Sequence, residues 1–414
     1  MGNEYKKGET YSIVKRLVDD QITETAEIAK QTGIPTRTIR RYKNQLRELG
    51  YDLPLRGFPN KPIRKTDDCP KPDEHEILRN SMERTEARRS KTKQTFFEIV
   101  GQDIISALKA IPAPARPAIK PPNLRTQHDP EEMVLLWSDS QVGQVVDQRE
   151  SGGLGSYDTD IFKERLEFLK TSLKKIFEIH VANTHYPTFN IFFLGDIIEG
   201  TTIFPGQQRQ TDLHSVAQVM EAVDKIAEFI AWIAGQFPWA VRCYCVVGNH
   251  GRIGKKGEES PLNNLDYLVY RIVKERLRDY KNVRFEISES WYMIVQKLGW
   301  RFLLIHGDDT RGWMGVPYYG MERSEARLGR MISDAGSNFQ YYCCGHHHQE
   351  ATIKSRMFLN GSWVGGSEFS IKTMQTANKP TQMLFSVHKD FGVTWERNMQ
   401  LINPANKVPV KVFE

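Results

Sequence analysis

Five stretches of this chain end an apolar run in residues able to bind a cation. They are Ser138-Asp139-Ser140-Gln141, Gly195-Asp196, Gly248-Asn249-His250, His306-Gly307 and Gly345-His346-His347-His348. Carboxylate, amide oxygen and imidazole are ligands for hard to borderline divalent ions such as Mn, Fe, Zn or Mg. Cys344 is the only thiol beside them, so a structural thiolate-zinc cluster is not indicated. Asp196 is the pivot, because Ile191–Leu194 reads as a buried strand that stops immediately before it. In an open α/β sheet, ligands sit beyond the carboxyl ends of the strands. There Asp196 could face two ions at once, and Gly195 would let an ion or phosphate approach the backbone. His346 and His348 stand two apart, so on an extended segment both imidazoles point the same way. Taken singly, His306 reads as a core histidine and Asn249-His250 as a turn; the joint occurrence carries the argument.

Such a site needs a scaffold, and from Glu131 onward strands alternate with helices. The apolar runs predict strands at Met133–Trp137, Ile191–Leu194, Val241–Val247, Arg284–Ile287, Tyr292–Gln296, Phe302–Ile305 and Phe339–Cys344. Helical spacing marks Ile161–Val181, Asp212–Phe237, Leu262–Arg278 and Gly320–Ala335, and short β segments near Ala351–Lys354 and Met383–Val387 finish the chain. The alternation predicts an α/β fold.

The ordered strings SDSQVG, GDIIEG, GNHG, IHG and GHHH, spread over residues 131–365, resemble the calcineurin-like dinuclear metallophosphoesterase superfamily. The SDSQVG wording leans toward its DNA-repair exonuclease branch, and GDIIEG…FPGQ with NGSWVGGSE is similar to phosphoesterases of phages and prophages. The resemblance implies a β-sandwich flanked by helices and two divalent ions, with Mn first among Mn, Fe, Zn and Mg. Carried over by position, Asp196 bridges the ions. One ion takes Asp139, Gln141 and His348; the other takes Asn249, His306 and His346. His250 stabilises the phosphoryl oxygens or protonates the leaving group, and a water acidified by the ions attacks phosphorus in line. Two positions depart from the pattern. Gln141 stands where the family has His, and Gly251 stands where an acidic residue commonly orients His250. Arg209, His214, Arg252, Lys255 and Lys256 are candidate phosphate contacts.

The first third has a different character. Residues 1–130 hold 25 Lys and Arg against 18 Asp and Glu, so the whole +6 excess of the chain lies there. That asymmetry points to an anionic partner, most simply DNA. Three helical runs occupy residues 10–50, with Gly33 and Pro35 punctuating the last two. Ile39, Tyr42, Leu46 and Leu49 form an apolar face; Arg37, Arg40, Arg41, Lys43 and Arg47 are expected on the other. This resembles a helix-turn-helix unit with Thr36–Leu49 as the recognition helix, although a basic protein-interaction domain has the same pattern. The expected organisation is a DNA-binding domain over 1–51, a charged and Pro-rich linker over 52–130, and a catalytic domain over 131–414. No apolar run suits a membrane span or signal peptide, and the five cysteines form no CxxC. A cytoplasmic protein with reduced thiols is the expectation, and the resemblance leaves a homodimer open. Three functions fit: a DNA nuclease, a hydrolase of small phosphoesters or phosphoproteins, and a DNA-binding regulator whose metal site has decayed.

Overall fold

The computed structural model describes residues 7–20, 22, 25–48, 50, 101–102, 104–106, 114, 129–181, 184–310, 318–367, 370–371 and 378–402. The chain divides into two compact units, Met1–Lys93 and Gln94–Glu414. Cys69 and nearly all of the expected 52–130 linker lie outside the described residues.

In the first unit, helices α1 (Lys7–Asp19), α2 (Thr25–Thr32) and α3 (Thr36–Glu48) surround a small core. Val14 and Val18 meet Ile28, Ile34, Ile39, Tyr42 and Leu46 there. Gly33 takes a left-handed φ of 70° between α2 and α3, a conformation glycine adopts without steric cost. Arg37, Arg40 and Arg41 are exposed and Arg47 is half-buried. Lys43 corrects the expected basic face: it is 5% exposed, and its ammonium donates to Thr25 Oγ1 at 3.4 Å. It stands four residues after Ile39 and three before Leu46, so helical spacing turns it toward the core.

In the second unit the expected α/β fold is present as two sheets. The first runs β11-β10-β1-β2-β3-β4 and the second β5-β6-β7-β9-β8. In the first, β1 (Glu131–Trp137), β2 (Thr188–Phe193), β3 (Ala240–Cys245) and β4 (Val283–Ile287) are parallel. The strands β10 (Thr381–His388) and β11 (Gly392–Gln400) add an antiparallel edge. In the second sheet, β6 (Trp300–Ile305), β7 (Tyr341–Cys344) and β9 (Met357–Leu359) are parallel, with β5 (Tyr292–Lys297) and β8 (Ala351–Ile353) antiparallel outside them. Strand alternation distributes the core. Met133, Leu135 and Trp137 face the helices α4 (Thr159–His180), α5 (Ser215–Gln236) and α6 (Leu265–Arg276). Val134 and Leu136 meet Phe302, Leu304, Cys343 and Phe385 between the sheets. Leu303 and Ile305 face outward, under α7 (Tyr318–Asp334). Ile104 and Ile105, from within the expected linker, pack on the helix-side core.

This stacking gives the site its address. The parallel strands β1, β2 and β3 of one sheet and β6 and β7 of the other end at the same edge. β1, β2, β6 and β7 are buried for most of their length and β3 at alternate residues, and each passes into a polar loop at that edge. Strand length thus converts one-dimensional apolar runs into a shared rim.

Candidate metal centre

Every residue expected to bind a metal is brought to that rim. His306 Nε2 lies 3.0 Å from Asp196 Oδ2, 3.0 Å from Asn249 Oδ1 and 3.3 Å from His346 Nδ1. Its other nitrogen, Nδ1, is 2.7 Å from the Leu194 carbonyl, which only an N–H can face. With Nδ1–H turned to that carbonyl, Nε2 faces three further polar atoms at once. One proton on Nε2 can satisfy only one of them; one cation satisfies all. Asp196, His306 and His346 group tightly enough to hold a metal ion, and Asp196 Oδ2 is buried with no hydrogen bond.

A second group of expected ligands adjoins the first through His346. His348 Nε2 is 3.4 Å from Asp139 Oδ1, and both Asp139 oxygens accept from the His346 backbone N–H at 3.1 and 3.0 Å. Gln141 Nε2 lies 3.3 Å from His250 Nε2, while Gln141 Oε1 is buried without a partner. An orphaned buried acceptor is uncommon and costly, and a cation is the natural partner for one. The donor set, oxygen and nitrogen without thiolate, fits hard or borderline divalent ions.

The electrostatics record the same crowding. Burial opposes charge on His306, yet Asp196 beside it pushes the ring up to about 10. His346 moves the other way, down to about 3, through burial and the neighbouring His306. Asp196 is held well below the usual carboxylate range by His306 and His250 despite its burial. In the protein alone, a proton stands in for the missing positive charge.

His250 is placed differently. Its backbone N–H donates to Asp196 Oδ1 at 2.7 Å, but its ring turns to Glu199. His250 Nδ1 lies 3.0 Å from both Glu199 O and Glu199 Oε2. Glu199 is fully buried, and the buried Gln207 donates Nε2 to its backbone O at 2.8 Å and its Oε1 at 2.9 Å. Glu199 thus performs the orienting role that Gly251 cannot. A Cβ on Gly251 would stand 2.2 Å from Asn264 Oδ1, so no side chain fits there.

Two sequence expectations are corrected. Gly195 does not leave its backbone open to a ligand: a Cβ there would stand 2.3 Å from Gly248 N, so the glycine permits two loops to meet. The Gly345–His348 run is not extended either. His346 and His348 have φ of 68° and 53°, and Asp139, Gln141 and Asp196 are also left-handed at 52°, 40° and 52°. Non-glycine residues reach this region only when their surroundings enforce it, and such strain gathers at functional sites. The turn, rather than strand alternation, aims His346 at His306 and His348 at Asp139.

The enforcing residues were invisible to motif reading. Asp266, at the start of α6, is fully buried. It accepts from Asp196 N at 2.8 Å, Ile197 N at 3.0 Å and Gly248 N at 3.0 Å. One carboxylate thereby clamps the loops after β2 and β3 together; burial and Asp196 push it up to about 6. Asn264 caps α6 and donates to Gly248 O at 2.8 Å. Behind Asp139, Asn360 donates to Ser138 Oγ at 2.9 Å, and Trp363 donates its backbone N–H to Asp139 O at 3.1 Å. The capping asparagine two residues before an aspartate at a helix start was the available signal for the clamp.

Among the candidate phosphate contacts, Arg252 is half-buried and donates Nε to Asn249 O at 3.0 Å, so its stem is anchored beside the ligands. Arg209 is exposed on a short 3-10 turn, Gln207–Gln210. His214 caps α5, accepting from Ala217 N at 3.2 Å. Lys256 is engaged by Asp308 and Asp309 at 2.9 and 2.6 Å.

No protein-family profile and no curated protein matches the chain. Solved structures were found that align over most of it. Vps29 of Entamoeba histolytica, described as complexed with zinc, is 11% identical over 65% of this chain and 99% of its own, with a TM-score of 0.27. A conserved uncharacterized protein of Streptococcus pneumoniae TIGR4, described as a predicted phosphoesterase, is 9% identical over 65% and 98%, with a TM-score of 0.24. Vps29 of Chaetomium thermophilum is 8% identical over 66% and 100%, at 0.26. Scores this low carry no weight, and the chemistry rests on the residues themselves.

Proposed function

We propose that this chain is a metal-dependent phosphodiesterase, and that its substrate is DNA. The observation that carries the first part is the convergence on His306 Nε2 of Asp196, Asn249 and His346 within 3.0–3.3 Å, more polar atoms than a single proton there can serve. Asn249, His306 and His346 would hold one divalent ion, and Asp139, Gln141 and His348 a second, with Asp196 shared. Bound divalent ions supply Lewis acidity toward phosphoryl oxygens and lower the pKa of water.

The protein supplies the rest. His250 is oriented by Glu199 at Nδ1, which leaves Nε2 as the atom that would give a proton to a leaving oxygen at the rim. Arg252 offers a fixed guanidinium for a non-bridging oxygen. The clamp at Asp266 keeps Asp196 and Asn249 in register, so little reorganisation is needed during reaction. A decayed site would not retain strained ligands, a replacement orienter and a buried clamp, which argues against the regulator reading.

The DNA part is supported by the basic first third and by the exposed Arg37, Arg40 and Arg41 on α3. Purified protein with Mn should hydrolyse bis(4-nitrophenyl) phosphate and single-stranded DNA, and Asp196→Ala should abolish both. Wild type and Asp196→Ala behaving alike would end the phosphodiesterase reading. Cleavage of the small diester without cleavage or binding of DNA would end the DNA reading alone.

A further inference from the structure

Phe204 is 40% exposed, on the loop that follows Glu199. Its ring centroid lies 6.2 Å from that of His250, with the planes at 73°. The loop holds it there. Buried Gln207 accepts from Ile203 N with Oε1 at 2.8 Å while its Nε2 grips Glu199. Gln207 N donates to Phe204 O at 3.3 Å, and Gly206 closes the turn with a φ of 86°. The ring is therefore presented to solvent through the same glutamate that orients His250. Two arginines adjoin the same loop: exposed Arg209, whose backbone N–H donates to Gly206 O at 2.9 Å, and half-buried Arg252, whose carbonyl accepts from Thr202 Oγ1 at 3.4 Å.

An aromatic face among cations suits one class of substrate well. Single-stranded nucleic acid carries regularly spaced phosphates and π-faces, and its binders pair basic grooves with aromatic platforms. In a paired duplex the base faces are already stacked on their neighbours. If His250 protonates a leaving oxygen, the nucleoside on that oxygen begins beside His250, and its base lies about one sugar's width away, where Phe204 stands. We infer that Phe204 is a stacking platform for an unpaired nucleobase adjoining the scissile phosphodiester, so that the substrate is single-stranded or frayed nucleic acid. This rests on the phosphodiesterase reading above.

The test uses the thymidine dinucleotide TpT, which has a single scissile bond, and its two analogues lacking one base or the other. The full chain with Mn is assayed as wild type, Phe204→Ala and Phe204→Trp, with bis(4-nitrophenyl) phosphate in parallel. Stacking on one aromatic ring predicts that wild type prefers TpT over one analogue by roughly 5- to 150-fold in kcat/KM. Phe204→Ala should bring that ratio toward one, and Phe204→Trp should restore it. An unchanged ratio in Phe204→Ala, no base preference in wild type, or hydrolysis of the small diester without TpT would each overturn the inference and leave the phosphodiesterase reading standing. Hydrolysis of no diester at all would remove both, and is a separate result.

Discussion

Replacing Glu199 by Gln should move the alkaline limb of the pH profile. His250 acts in its protonated form, so activity is present below its pKa and lost as pH rises through it. Burial opposes that proton, but Asp196 and Glu199 hold it, and the ring is pushed up to about 10 in the protein alone. Bound cations offset the Asp196 charge, leaving Glu199, 3.0 Å from Nδ1, as the main remaining support. A carboxylate this close raises the pKa of a cationic neighbour by about 1–3 units. Glutamine keeps the shape: its amide oxygen can still accept from Gln207, and the backbone O of residue 199 still accepts from His250 Nδ1. The alkaline limb of kcat/KM for bis(4-nitrophenyl) phosphate should therefore shift down by about 1–3 units. The two enzymes should converge at acid pH and diverge as pH rises. A uniform loss at every pH, with the limb unmoved, would refute the assignment of Glu199 as the partner that holds the His250 proton.

Three further outcomes follow from the same geometry. The metal-free protein should lose stability as pH rises from about 6.5, the unfolded value for His. His250 and His306 are both raised to about 10, so their contribution is complete below the unfolded pKa and gone above the folded one. Melting temperatures in EDTA should fall across that window, and Mn should flatten the dependence. Asp266→Ala leaves three buried backbone N–H groups unpaired and should cost on the order of 3 kcal/mol or more in denaturant unfolding, with weaker metal binding besides. Gly251→Asp should lower stability by about 1–3 kcal/mol and reduce activity, because the new Cβ meets Asn264 and Glu199 already orients the histidine. A gain of activity in that variant would count against the role given to Glu199.

The ligands were legible in the sequence because each follows a buried parallel strand, where an apolar run ends abruptly in Asp, Asn or His. Helix ends were read to within a few residues for the same reason: α4, α5 and α6 carry continuous apolar faces. What held those ligands was not legible. Asp266 reaches Asp196 N across 70 positions, and Asn360 reaches Ser138 across 222. A side chain bonding to remote backbone leaves no periodicity and no fixed spacing. The strand β11 escaped notice because it is a sheet edge with much of its face in water, and β9 because it is only three residues long. The error over His346 and His348 came from assuming that strand geometry persists past the strand. Their positive φ values are imposed by tertiary contacts, which local sequence does not encode. Lys43 was misplaced for the opposite reason: charge suggested an exposed face, while helical register put the residue inward.

The central claim is that the rim is built around divalent cations rather than around protons. Titration of Mn into metal-stripped protein by calorimetry tests it most directly. The account predicts saturable binding of two ions per chain, with His306→Ala removing one site and Asp196→Ala weakening both. No saturable binding in the wild type, or binding indifferent to His306 and Asp196, would contradict it.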